Sequence, residues 1–266
     1  MPISAPLAIL RLTIYAVFTL PLMPLQAAFL LLRSSFAQRL PRWYHAVCCR
    51  IFGFDVVVRG QVSRERPTLF VSNHLSYLDI IVISALAPVS FVAKREVAAW
   101  PFFGWLAKLQ QTVFVGRDRK NVRGERDDIG AALSAGRNLV LFPEATSYDG
   151  TRIKPFKSSL LAVAEFTPGG APLTVQPMTI TYTLVDGMPM GRNMRPFFAW
   201  YGSMELIDHL WTAMGIGRTT IVVEFHEIVT FARFGSRKAL TQHCEGVIGR
   251  ALAEINAGRR PSTSTP

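Results

Sequence analysis

The sequence predicts an α/β fold: a mostly parallel mixed sheet flanked by helices, with an N-terminal membrane-embedded hydrophobic segment. Three observations predict it. From residue 54 onward, short runs rich in Val, Phe and Ile alternate with stretches of helical length. Strands separated in this way pair mainly in parallel, because a parallel partner is reached through a crossover. Residues 12–32, LTIYAVFTLPLMPLQAAFLLL, hold 21 positions without a charge, about the length that crosses a bilayer. Half of all residues are hydrophobic and the mean hydropathy is +0.26, high for a chain that meets only water.

In the N-terminal segment, Arg11 stands just before the apolar run, and Pro21 and Pro24 are expected to break its middle into two short pieces. A single spanning helix and a bent hairpin lying in one leaflet both remain open. Arg33, Arg39, Arg42 and Arg50 follow it, against Arg11 and the amino terminus before it. That excess places the rest of the chain in the cytoplasm. No small-residue cleavage site follows, so the segment reads as retained, not as a cleaved signal.

FDVVVR (54–59) and TLFVSN (68–73) read as strands, and YLDIIVISALA (77–87) as a helix. SFVAKR (90–95) is a strand, 97–109 a helix broken near Pro101, and TVFVGR (112–117) a strand. Residues 119–135 form a charged surface helix stopped by Gly136. NLVLFP (138–143) is a strand and SSLLAVAEF (158–166) a helix. Residues 173–182 and 219–229 are longer strands, and 238–257 is a closing amphipathic helix. The expected division is a membrane segment at 1–40, a catalytic domain at 41–257 and a disordered tail at 258–266.

The 266 residues carry a net charge of +11. A basic chain favours a polyanion. Its cations are scattered, and beside this hydropathy an anionic membrane face is the expected partner, not nucleic acid. Cys48 and Cys49 are adjacent and Cys244 is distant, with no CxxC; they read as apolar side chains in a reducing compartment. No G-x-S-x-G, Walker or G-x-G-x-x-G motif occurs. Thr230 stands where His226-Glu227 would need a second zincin histidine, so no metal site is expected.

The chemistry-bearing stretch is VSNHLSYLD, 71–79. His74 ends a strand and Asp79 falls in the first turn of the next helix. On one continuous helix a separation of five would set the two about 140° apart; a turn between them lets the carboxylate fold back onto the imidazole. Asp79 would fix the tautomer, and the other ring nitrogen would serve as general base toward an alcohol. The competing reading is a capping box, with Asp79 bonding back to Ser76.

N-H-x-x-x-x-D, then a strand ending in Gly-Arg, then F-P-E-[GA]-T, in this order over about residues 54–183, resembles the glycerolipid acyltransferase family. The resemblance implies that His74 and Asp79 are catalytic. It further implies that Gly116 and Arg117 belong to the acceptor site, with Arg117 pairing a phosphate. Phe142, Pro143, Glu144 and Thr146 would line that site, Glu144 standing at its mouth. No cofactor is implied; acyl-CoA or acyl-carrier protein would be the thioester co-substrate.

The acceptor implied is a lysolipid, first 1-acyl-sn-glycerol-3-phosphate, giving phosphatidic acid. A lyso-ornithine lipid, with an amino-acid head and a fatty 3-hydroxyl, is the alternative, and an inactive membrane-surface binding protein is a second. Two departures mark this chain: Ala145 replaces a usual glycine, and Ser147 stands where an arginine often follows the threonine. Arg152, Lys154 and Lys157 are candidate replacement cations, Lys157 at the start of a helix whose N–H groups favour an anion. Trp100, Phe102, Phe103 and Trp105 are either core or lipid contacts. The implied location is the bacterial inner membrane, with the catalytic domain on its cytoplasmic side.

Overall fold

Two hydrophobic clusters, one on each face of a single mixed sheet, organise the chain. The computed structural model describes residues 3–116 and 122–259. Arg117 and all but the first two residues of the expected tail lie outside the described residues. The strands are β1 (Phe54–Arg59), β2 (Thr68–Ser72), β3 (Ser90–Lys94), β4 (Val113–Val115), β5 (Leu139–Leu141), β6 (Thr174–Val185), β7 (Met188–Pro189), β8 (Thr219–Phe225) and β9 (Val229–Thr230). Their order is β1-β8-β6-β2-β5-β3-β4, with β7 and β9 pairing β6. Every neighbouring pair on that path is parallel except β6 with β8.

The helices are α1 (Ala5–Leu31), α2 (Phe36–Phe52), α3 (Leu78–Leu86), α4 (Phe103–Leu109), α5 (Val122–Ser134), α6 (Leu206–Met214) and α7 (Arg237–Asn256). One face of the sheet packs against α1, α2, α3 and α6 through Phe52, Leu78, Val82 and Met214. The other packs against α5 and α7 through Leu133, Leu240, Cys244 and Ile248. All three cysteines are buried and free. Burial pushes each thiol up to about 12, which leaves them unreactive.

Three expectations are corrected. First, Pro21 and Pro24 do not break the N-terminal segment: α1 runs unbroken for 27 residues. Each proline removes one backbone donor, but α2 packs alongside and holds the helix. Phe18 stacks on Tyr44, centroids 5.6 Å apart, and the Thr19 and Tyr44 hydroxyls lie 2.9 Å apart. Position 40 falls inside α2.

Second, residues 158–166 form no α-helix but a short 3-10 segment, Leu160–Glu165. Thr167-Pro168 stops it after six residues, since a residue before proline avoids the helical region. Third, the sequence reading assigned no element to α2 or α6.

The polarity of α1 is inverted. Arg11, Thr19 and Gln26 are buried, while Leu10, Val17 and Leu20 are more than half exposed. Gln26 Nε2 donates to the carbonyls of Ala37 and Leu109, at 2.9 and 3.2 Å. Arg11 donates to the carbonyls of Met214, Ile216 and Gly217, at and beyond the end of α6. α1 is long and apolar enough to cross a membrane, and only 17% of its most apolar window is buried. Its outer face is an exposed apolar surface.

Candidate active site

The site forms where parallel strands end together. β2 stops at Ser72, and Asn73 continues its pairing with β6 by side chain: Nδ2 donates to the Ile180 carbonyl and Oδ1 accepts from the Ile180 N–H, both at 2.9 Å. The chain thus leaves the sheet without losing its hold on β6, and His74 stands at the C-terminal edge. β5 runs parallel beside β2, with Val71 opposite Leu141, so Phe142, Pro143 and Glu144 emerge beside His74. Ligand sites of α/β sheets lie at this edge.

His74 Nδ1 lies 2.9 Å from Asp79 Oδ2. A carboxylate only accepts, so in the neutral ring Nδ1 carries the proton and Nε2 keeps its lone pair. The same Oδ2 accepts from the N–H groups of Leu75 and Ser76, at 2.7 and 3.0 Å. Asp79 Oδ1 accepts from the Tyr182 hydroxyl at 3.0 Å. The capping box and the His-Asp pair are therefore not alternatives: one fully buried carboxylate does both. The His74 side chain keeps 20% exposure. Its ring stacks on Phe142, centroids 4.0 Å apart and planes 17° apart, which fixes the plane of the imidazole.

Glu144, expected at the mouth of the acceptor site, follows β5 beside His74. It is buried, and its two oxygens accept backbone N–H groups: Oε1 from His74 at 2.9 Å and Oε2 from Lys154 at 2.8 Å. Burial raises its pKa above the ordinary carboxylate range, opposed by those two N–H bonds and by the neighbouring His74. The carboxylate ties the loop 145–154 to His74. The Tyr148 N–H adds a second tie, donating to the His74 carbonyl at 3.0 Å.

Ala145 takes φ +58°, a left-handed conformation that glycine adopts at no steric cost. That accounts for the glycine usual at this position. Ser147 Oγ donates to the Trp200 carbonyl, and the Trp200 N–H donates to the Leu75 carbonyl at 2.9 Å.

Pro143 is buried and Thr146 exposed. Lys157 is exposed, its N–H donating to the Pro143 carbonyl at 3.0 Å. It precedes the short 3-10 segment, so the expected α-helical anion site is absent there. Gly116 follows β4 and reaches the same edge of the sheet, since β4, β3, β5 and β2 are all parallel.

Behind α3 lies an apolar cavity of about 150 Å³, bounded by Tyr15, Tyr44, Tyr77, Ile81, Trp100 and Phe103 among others. The four candidate aromatics divide: Trp100 and Phe103 line this cavity, Phe102 packs on the core, and Trp105 is 62% exposed.

Sequence reasoning gave no role to Asn73, Tyr182 or Trp200. Asn73 carried a signal, a polar residue at the last rung of a strand. Tyr182 carried none, since it reads as one more buried strand residue.

The family model described as Acyltransferase matches residues 55–181. A lyso-ornithine lipid O-acyltransferase of Rhizobium meliloti (strain 1021) is 40% identical over 250 residues, covering 92% of this chain and 86% of that one. The chain belongs to the acyltransferase family. This acyltransferase is also 32% identical over 198 residues to a 1-acyl-sn-glycerol-3-phosphate acyltransferase of Neisseria gonorrhoeae, covering 73% and 74% of the two chains. Its fold matches the crystal structure of the 1-acyl-sn-glycerophosphate (LPA) acyltransferase PlsC from Thermotoga maritima. The TM-score is 0.69 at 21% identity, over 94% of this acyltransferase and 95% of that chain.

Proposed function

We propose that this acyltransferase moves a fatty acyl chain from a soluble thioester, acyl-CoA or acyl-carrier protein, to the free hydroxyl of lyso-ornithine lipid. The observation that carries the chemistry is the 2.9 Å contact of His74 Nδ1 with the buried Asp79 carboxylate, with the ring partly open to solvent. Nε2 takes the proton of the acceptor hydroxyl as its oxygen attacks the thioester carbonyl. Asp79 stabilises the imidazolium that forms. The tetrahedral oxyanion collapses, the carbon–sulfur bond breaks, and the imidazolium returns the proton to the departing thiolate. The apolar cavity beside Tyr77 suits an acyl chain. The lipid-facing surface of α1 suits an acceptor drawn from the bilayer, on the cytoplasmic side of the inner membrane.

Likeness to the Rhizobium relative along most of both chains supports lyso-ornithine lipid as acceptor. So does Ser147, whose hydroxyl is committed to the Trp200 carbonyl and brings no cation. Lysophosphatidate remains the second reading, supported by the Neisseria relative. Purified protein in vesicles, offered both acceptors side by side with either thioester, decides between them. Consumption of lyso-ornithine lipid alone is expected; consumption of lysophosphatidate alone would give the second reading.

A further inference from the structure

The loop that Glu144 ties to His74 carries charges of both signs that the acyl-transfer chemistry does not use. Lys154 Nζ lies over the Tyr148 ring, 4.7 Å from its centroid. Arg152 Nη2 donates to the Tyr148 hydroxyl at 3.4 Å. Two cations therefore gather on one phenol ring. Asp149, next to Tyr148, accepts from the Thr151 N–H and hydroxyl through Oδ1 alone, at 2.9 and 2.8 Å. Its charge is felt by Arg152 and Arg195. Among the described residues, none of Lys154, Arg152 and Asp149 forms an ion pair.

The loop is held at both ends beside the reacting histidine. The Tyr148 N–H bonds the His74 carbonyl, and the Lys154 N–H shares Glu144 with the His74 N–H. Two cations and a carboxylate are thus presented on one short loop without closing an ion pair among the described residues.

We infer that Tyr148, Asp149, Arg152 and Lys154 form the headgroup subsite for a zwitterionic amino-acid lipid. The two cations take the headgroup carboxylate, and Asp149 takes its ammonium. An ornithine with one amine acylated keeps one carboxylate and one ammonium, matching both signs. A phosphate monoester would meet the cations but be repelled by Asp149. The inference rests on the proposed lyso-ornithine acceptor and deepens it by naming the residues that recognise the head.

The test is steady-state kinetics of the full-length protein in vesicles, with lyso-ornithine lipid, its carboxyl methyl ester and lysophosphatidate as acceptors. Losing one charge-assisted hydrogen bond corresponds to about tenfold to a hundredfold in KM. Lys154→Met is expected to raise KM for lyso-ornithine lipid in that range, with a smaller change in kcat, and Lys154→Arg to recover most of it. With the methyl ester, Lys154→Met should change little. Asp149→Asn should raise KM for lyso-ornithine lipid and leave or lower it for lysophosphatidate. If the wild type turns over lyso-ornithine lipid while Lys154→Met, Arg152→Met and Asp149→Asn all keep its KM, the subsite is wrong and the acceptor stands. If the wild type turns over no lyso-ornithine lipid, the acceptor and the zwitterion subsite both fall.

Discussion

At the residue scale, the site depends on two buried carboxylates with different tasks. Asp79 holds the imidazole and is itself held by Tyr182. Tyr182→Phe removes that hydroxyl with little change of shape and leaves Oδ1 without its partner. With the carboxylate held less firmly, kcat should fall with KM little changed, and an equal thermal midpoint would exclude a folding defect. An unchanged kcat would leave Tyr182 a packing residue.

Glu144 holds the backbone of His74 and Lys154, and its pKa lies above the ordinary range because it is buried. The folded protein therefore binds this proton more tightly than the unfolded chain does. The stability that Glu144 contributes is present below the ordinary glutamate range and is lost as pH rises through the raised value. Glu144→Gln should abolish this pH dependence in urea unfolding; a dependence equal to that of the wild type would assign it to another group. Ala145→Gly tests the strained turn. Relief of the left-handed conformation, about 1–2 kcal/mol, should exceed the added chain entropy, about 0.5–1 kcal/mol, and raise the thermal midpoint.

At the element scale, α1 is docked by its few polar residues. Arg11 bonds carbonyls at and beyond the end of α6. Arg11→Met keeps the apolar stem but leaves those carbonyls unpaired, so faster proteolysis within α1 is expected; an unchanged cleavage pattern would argue against the docking.

The legibility of the elements follows how each is buried. β1, β2, β3 and α3 matched the sequence reading to within about two residues, because each is dense in Val, Phe, Ile or Leu and so leaves a short apolar run, β2 being buried at every position. α2 was missed. Its buried Ala37, His45, Cys48, Cys49 and Phe52 do repeat at helical spacing, but Arg39, Pro41, Arg42 and Arg50 interrupt every apolar run. The antiparallel pairing of β8 with β6 is set by tertiary contacts that spacing does not encode. Within the site, the spacing of His74 and Asp79 and the Phe142–Thr146 block were legible. Tyr182 was not, since it enters from a strand about a hundred residues away.

At the scale of the whole molecule, one sheet divides the labour. The proposed chemistry sits at the C-terminal edge of its parallel strands, and the exposed apolar surface proposed to meet lipid sits on α1. Charge on that outer surface should weaken membrane binding without touching the site. Val17→Lys with Leu20→Glu is expected to lower partitioning into phosphatidylglycerol vesicles and leave the unfolding midpoint nearly unchanged; partitioning equal to the wild type would place lipid on another face.

The central claim is that His74, held by Asp79, is the general base. The most direct measurement is acyl transfer to lyso-ornithine lipid and lysophosphatidate by wild type and His74→Ala, with circular dichroism showing equal folding. A loss of about 10²–10⁴ in kcat on whichever acceptor is used is the predicted result. A folded His74→Ala variant that keeps wild-type turnover would contradict it.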